Sequence, residues 1–145
     1  MSATPESQAR TRAFARIIGP WLVIVPGLIA VHAVDMGVFA ADFFKSDLFV
    51  WFAGALMLFA GLLIIAFHQY WSSLAAVLVS LFGWILALRG VLLLAALGLY
   101  ERVRTVLIAP SLIRSIFGVL LVIGLYLTYV GWLAKLPAPS VTNNP

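Results

Sequence analysis

Residues 48–67, LFVWFAGALMLFAGLLIIAF, run for twenty positions without one charged side chain. A helix rises about 1.5 Å per residue, so about 20 apolar residues cross a hydrocarbon core of about 30 Å. The stretch reads as a membrane-spanning helix. The whole chain supports that solvent: 64% of its 145 residues are hydrophobic and 10% are charged, with a mean hydropathy of +1.13. A soluble domain carries about a quarter charged residues, so these charges are too sparse to coat a water-facing globule.

Three further spans follow on either side. Upstream, IIGPWLVIVPGLIAVHAVDMGVF (Ile17 to Phe39) is led in by Arg10, Arg12 and Arg16 and interrupted by Pro20 and Pro26. Pro20 falls in the predicted first turn, where its missing N–H matters little, whereas Pro26 is expected to kink the helix. The arginines, the apolar run and the small residues around Ala40 also resemble a signal peptide. The run is too long for one and contains His32 and Asp35, so it is read as a retained span. Downstream, a third span begins near Ser73 and stays apolar to about Tyr100 except for Arg89, and a fourth runs from about Leu112 to Trp132. The predicted class is an all-α, polytopic membrane helix bundle with four transmembrane helices and short loops. Residues 16–135 form this single domain, between a disordered cytoplasmic tail over 1–15 and a disordered tail over 136–145.

Aromatic rings mark the ends of the spans. Trp21, Trp51, Trp71 and Trp132 each fall near a predicted terminus, as does His68 in the HQYWSS turn, and such amphipathic side chains favour the membrane–water interface. Arg10, Arg12, Arg16 and Lys135 lie on one side, and Lys45, Arg102, Arg104 and Arg114 on the other, so the basic count ties. The flank of the first span usually dominates orientation, which puts both termini in the cytoplasm. The net charge of +4 is thereby read as topology signal and lipid-headgroup contact rather than as affinity for nucleic acid. The absence of cysteine removes disulfides, thiolate metal sites and covalent c-type haem.

Small residues recur at helical spacing. Ser73, Ala76, Ser80, Gly83, Ala87 and Gly90 fall on one stripe of the third span. Gly54 and Gly61 sit one heptad apart in the second, and Gly124 and Gly131 in the fourth. In lipid no hydrophobic push drives helices together, and such seams supply close dispersion contact instead. They are read as packing surfaces within the chain or between copies, with a larger partner as the alternative occupant.

The ionisable residues inside the spans form the candidate site. Counted from Ile17 on the inside, His32 lies about 22 Å and Asp35 about 27 Å along the first helix, and Arg89 lies about 24 Å along the third. Three groups on two spans thus arrive at one depth. An ionised group at the centre of a span costs about 2.5–3.5 kcal/mol on insertion scales, so Asp35 and Arg89 are expected to pair, with His32 one turn away. Arg114 and Ser115 complete the predicted polar cluster. Two readings stay open: a pocket for an anionic or quinone-like headgroup, and a structural ion pair that fixes helix register. No metal is expected, because Arg89 repels a cation and no third ligand has a compelling position. No cofactor is expected either, although the cluster leaves room for a bound lipid or quinone.

The stretch FHQYWSSLAAVLVSLFGWILALRG (Phe67 to Gly90) resembles small, functionally unassigned bacterial inner-membrane proteins of about four spans. In them a turn of histidine, a polar residue, any residue and tryptophan leads into a span with a Gly-Trp pair. Here these are His68, Gln69, Tyr70 and Trp71, followed by Gly83 and Trp84. The resemblance covers about a sixth of the chain and implies an architecture and a bacterial inner membrane; it assigns no functional residue. Small multidrug exporters also have four short spans, but they depend on a glutamate deep in the first, where this chain has no acid.

No P-loop, nucleophile elbow, metalloprotease helix or paired carboxylates are found, so the expected function is non-enzymatic. The leading reading is an accessory, assembly or structural subunit that packs against itself or a larger membrane complex. The alternatives are a homo-oligomeric transporter or channel using His32, Asp35 and Arg89, and a lipid- or quinone-binding module.

Overall fold

A computed structural model describes residues 4–95 and 110–134. The described residues are helical throughout apart from turns and caps, with no strand among them. The helices are α1 (Pro5–Val31), α2 (Met36–Phe44), α3 (Asp47–Phe67), α4 (Leu74–Ala95) and α5 (Pro110–Thr128), the last running into a π-helical turn, Tyr129–Leu133. Four of these segments are long and apolar enough to cross a membrane: α1, α3, α4 and α5 with its π turn. The chain has the all-α architecture of a multi-pass membrane protein. The connector over 101–109, the far end of the third predicted span, Lys135 and the tail over 136–145 lie outside the described residues.

The helices assemble as two antiparallel pairs. In the first, α3 and α4 are joined by the short turn 68–73 and meet along their small residues. Gly61 faces Ala87 and Gly83, Gly83 faces Ile64, and Gly90 faces Leu58 and Gly54. Ala76, Ser80, Gly83, Ala87 and Gly90 are all buried, whereas Ser73, at the head of the stripe, is exposed. In the second pair α1 runs against α5. A methyl group added at Gly19 would lie 2.5 Å from the Thr128 nitrogen, one at Gly124 2.7 Å from the Leu22 carbonyl carbon, and one at Gly131 2.8 Å from the Arg16 nitrogen. Backbones come this close only where no side chain intervenes, which is the role of glycine in such seams.

The two pairs meet in a core made by Ala15, Ile18 and Leu22 of α1, Leu127 of α5, Ile64 of α3, and Ala75 and Val79 of α4. Trp21 and Phe82 touch across the same junction, with ring centroids 5.9 Å apart. These contacts belong to the half of the bundle that holds the arginines of α1.

Two boundaries differ from expectation. The stretch expected to be a disordered tail is the first part of α1, which starts at Pro5. Thr4 caps it: the Ser7 N–H donates to the Thr4 hydroxyl at 3.3 Å, Pro5 occupies the first turn, and Glu6 pairs with Arg10 at 2.8 Å. Proline cannot donate, but in the first turn no helical partner is waiting, so Pro5 suits this start. As a result Pro20 lies inside the helix along with Pro26, not in its first turn. At the other end α1 stops at Val31, and His32 to Asp35 form a turn leading into α2, a short helix over the expected end of the first span and the start of the loop after it.

Candidate functional site

His68 stands at the junction of the two pairs. It caps the C-terminus of α3, its N–H donating to the Ile64 carbonyl at 2.8 Å. The chain then turns back beneath it, so His68 is 1% exposed and faces into the bundle. Edge contacts with Phe14 and Tyr70, at centroid distances of 5.5 and 5.4 Å, close the apolar sides. Both ring nitrogens are engaged. Nε2 lies 2.9 Å from the Thr11 hydroxyl and Nδ1 3.0 Å from the Ser80 hydroxyl.

The proton positions follow from the neighbours. Thr11 donates its one proton to the Ser7 carbonyl at 2.7 Å, so its oxygen accepts from His68 Nε2–H. Nδ1 of the neutral ring is then an acceptor, and Ser80 supplies the proton. Ser80 also reaches the Tyr70 carbonyl at 3.1 Å. If the ring gains a proton, Nδ1–H donates to Ser80, which turns its own proton to Tyr70. Burial nevertheless disfavours the charged ring and holds its pKa below the ordinary 6.5, against a smaller opposing contribution from its backbone hydrogen bond.

A second polar cluster joins α1 to the π turn. A π turn bonds each N–H to the carbonyl five residues back, here Ala134 to Tyr129 at 2.9 Å, and its last carbonyls need outside donors. Arg12 and Arg16, one helical turn apart, supply them. Their Nε atoms donate to the Gly131 carbonyl at 3.1 and 2.8 Å, and Arg12 Nη2 also donates to the Ala134 carbonyl. Two cations therefore cap the negative end of an antiparallel helix. Pro20 has no N–H for the Arg16 carbonyl four residues earlier, and the Trp132 indole N–H takes that place at 3.3 Å. The Arg16 guanidinium lies 5.7 Å from the Trp132 ring centroid, within cation–π range.

The cluster predicted at the opposite end is arranged differently. His32 and Asp35 lie in the α1–α2 turn with 4.0 Å between Nδ1 and Oδ2, and both side chains are more than half exposed. Arg89 on α4 and Arg114 and Ser115 on α5 are also exposed, and the Ser115 hydroxyl donates back to the Ser111 carbonyl at 3.0 Å. Among the described residues the ion pairs are Arg10–Glu6, His32–Asp35 and Lys45–Asp42, so the expected Asp35–Arg89 pair is not formed. The cause is the helix boundary. Because α1 begins at Pro5, its 27 residues reach about 40 Å. It ends at Val31, so His32 and Asp35 sit past the end of the helix, in a turn where they face each other and not Arg89.

Trp21, Trp51, Trp71 and Trp132 are all exposed. Trp71 and Trp132 stand at the same end of the bundle as His68 and the arginines. The residues that sequence reasoning missed are Thr11, Arg12 and Arg16 as interhelical groups, with Ser7 buried beside them. Their signal was present: Ser7, Thr11, Ala15, Ile18, Leu22 and Pro26 are all buried and recur at steps of three and four, so the buried stripe passes unbroken through the polar segment.

These features define a four-span helical membrane protein with a polar node at one end, built from a buried histidine and two capping arginines. Comparison of the chain with protein-family models, curated proteins and solved structures finds no match in any of the three.

Proposed function

We propose that the chain acts through helix packing, as an accessory or structural subunit of a membrane assembly, in a bacterial cytoplasmic membrane with both termini inside. The observation that carries this reading is the division of α3 into two unlike faces. Val50, Gly54, Gly61 and Ile64 are buried. The other face presents Phe49, Phe52, Leu56, Phe59 and Leu63, spaced by three and four and all exposed. On α5 with its π turn, Val119, Val122, Tyr126, Tyr129 and Leu133 repeat the pattern. The small-residue seams are occupied within the chain, so a partner helix would meet these large-residue stripes by dispersion contact, in place of the lipid that otherwise covers them.

Native mass spectrometry of the tagged protein, extracted gently from its own membranes, tests the proposal. The expected result is a stoichiometric complex with other membrane subunits, which Phe52→Ala together with Phe59→Ala dissociates without lowering the melting temperature of the isolated chain. Recovery without any other membrane subunit, as a monomer or a homo-oligomer, would overturn the proposal.

A further inference from the structure

Between the two helix pairs, beside the His68 node, lies a crevice of about 160 Å³ lined by Gln8, Thr11, Arg12, Ser73, Ala75, Val130 and Ala134. We infer that it binds the phosphoglycerol headgroup of an anionic phospholipid, whose hydroxyls a choline headgroup lacks. The inference goes beyond the packing role and holds whether or not a partner subunit exists.

The polar lining consists of donors, with no carboxylate among it. Arg12 has five N–H donors. Its bonds to the Gly131 and Ala134 carbonyls engage two nitrogens, which leaves N–H groups for a ligand while anchoring the guanidinium in place. Ser73 Oγ accepts from the Ala76 N–H at 3.2 Å, so its own proton is available to donate. The Gln8 amide has no hydrogen bond to another described residue. Thr11 contributes nothing further, since its proton goes to Ser7 and its oxygen is taken by His68. A guanidinium, an amide and a hydroxyl around one space suit a group that is rich in acceptors and negatively charged. The adjoining N-terminus of α4 adds positive potential.

The remaining walls decide the kind of anion. Ala75, Val130 and Ala134 are apolar, so the ligand has an uncharged carbon portion as well as an anionic one. A liquid water takes about 30 Å³, so the space holds on the order of five waters. That suits a phosphodiester with its glycerol and leaves acyl chains to run outside along the exposed apolar helix faces. Trp71 and Trp132, both exposed at this end, mark the level where headgroups lie.

The test is native mass spectrometry of the delipidated full chain in neutral detergent, titrated separately with phosphatidylglycerol, phosphatidylcholine and inorganic phosphate. The expected result is one retained phosphatidylglycerol, with at least tenfold weaker retention of phosphatidylcholine and no competition from equimolar phosphate. Gln8→Ala combined with Ser73→Ala should weaken retention several-fold in a chain that still folds, the melting temperature falling only by what the lost Ser73 cap accounts for, and Arg12→Gln should weaken it more severely. Arg10→Gln, which removes an exposed charge outside the crevice, should leave it unaltered. Should Arg12→Gln fail to fold, the Gln8 and Ser73 double variant decides the matter. Equal retention of phosphatidylcholine, displacement by inorganic phosphate, or full retention by the double variant would each overturn the inference.

Discussion

His68 and Thr11 link the two helix pairs through one hydrogen bond, at a place where both partners are buried. Replacing His68 with alanine removes the bond and leaves the Ser80 hydroxyl without its ring partner, a loss on the order of 1–3 kcal/mol for buried polar groups. The pH dependence has a definite sign. Burial lowers the folded-state pKa below 6.5, so below that pH the unfolded chain binds more protons at this site and stability rises with pH. The contribution is complete above about pH 6.5 and is lost as the pH falls through the folded-state value. The melting temperature followed by tryptophan fluorescence should therefore be higher at about pH 7.5 than at about pH 5.5, and His68→Gln should shrink that difference. An equal difference in the variant would place the titration elsewhere. None of this was legible from the HQYWSS turn, because a histidine beside interfacial aromatics reads as an exposed residue. Its burial depends on the chain folding back so that Ser80 meets it and on α1 extending far enough to bring Thr11 there.

At the level of helices, glycine separates positions that pack from positions that do not. A methyl group at Gly61 would collide with the Ala87 backbone, and one at Gly90 with the Leu58 backbone, whereas nothing lies within 4 Å of one at Gly118. Overpacking of this kind costs about 1–3 kcal/mol, so Gly61→Ala and Gly90→Ala should each lower the thermal stability of the purified protein clearly. Gly118→Ala, which meets no neighbour and is the better helix former, should leave the stability equal or raise it by up to about 1 kcal/mol. A Gly118→Ala variant as destabilised as the other two would show that helix flexibility, and not close packing, sets the requirement. The seams could be read from sequence because small side chains at three- and four-residue steps stand out among Leu, Ile and Phe. The start of α1 could not, because a hydropathy reading stops at the first polar residues. The pattern that carries α1 back to Pro5 is periodic and polar, and only the positions of Ser7 and Thr11 on the buried stripe disclose it.

For the molecule as a whole, the four spans were legible from apolar length, and the pairing of those spans was not. Equal rise along two spans suggested that His32, Asp35 and Arg89 meet, but α1 ends at Val31 and turns His32 and Asp35 toward each other, which hydropathy alone does not disclose. The polar groups that do join separate helices lie at the other end, where Arg12, Arg16 and His68 act on carbonyls and hydroxyls of their neighbours. Each small-residue seam is satisfied inside one chain, which leaves the aromatic stripe of α3 to face outward. Because the chain has no cysteine, a designed pair reports on this without interference. A Cβ at Gly54 would stand 3.0 Å from the Leu93 Cβ, and a disulfide joins Cβ atoms about 3.5–4.5 Å apart, so a slight relaxation admits the bond. Mild oxidation of membranes carrying Gly54→Cys with Leu93→Cys, followed by denaturing electrophoresis, should give an internally crosslinked monomer at every expression level. A covalent dimer in place of that monomer would mean that the α3 and α4 seams belong to an interface between chains, which would contradict their pairing within one.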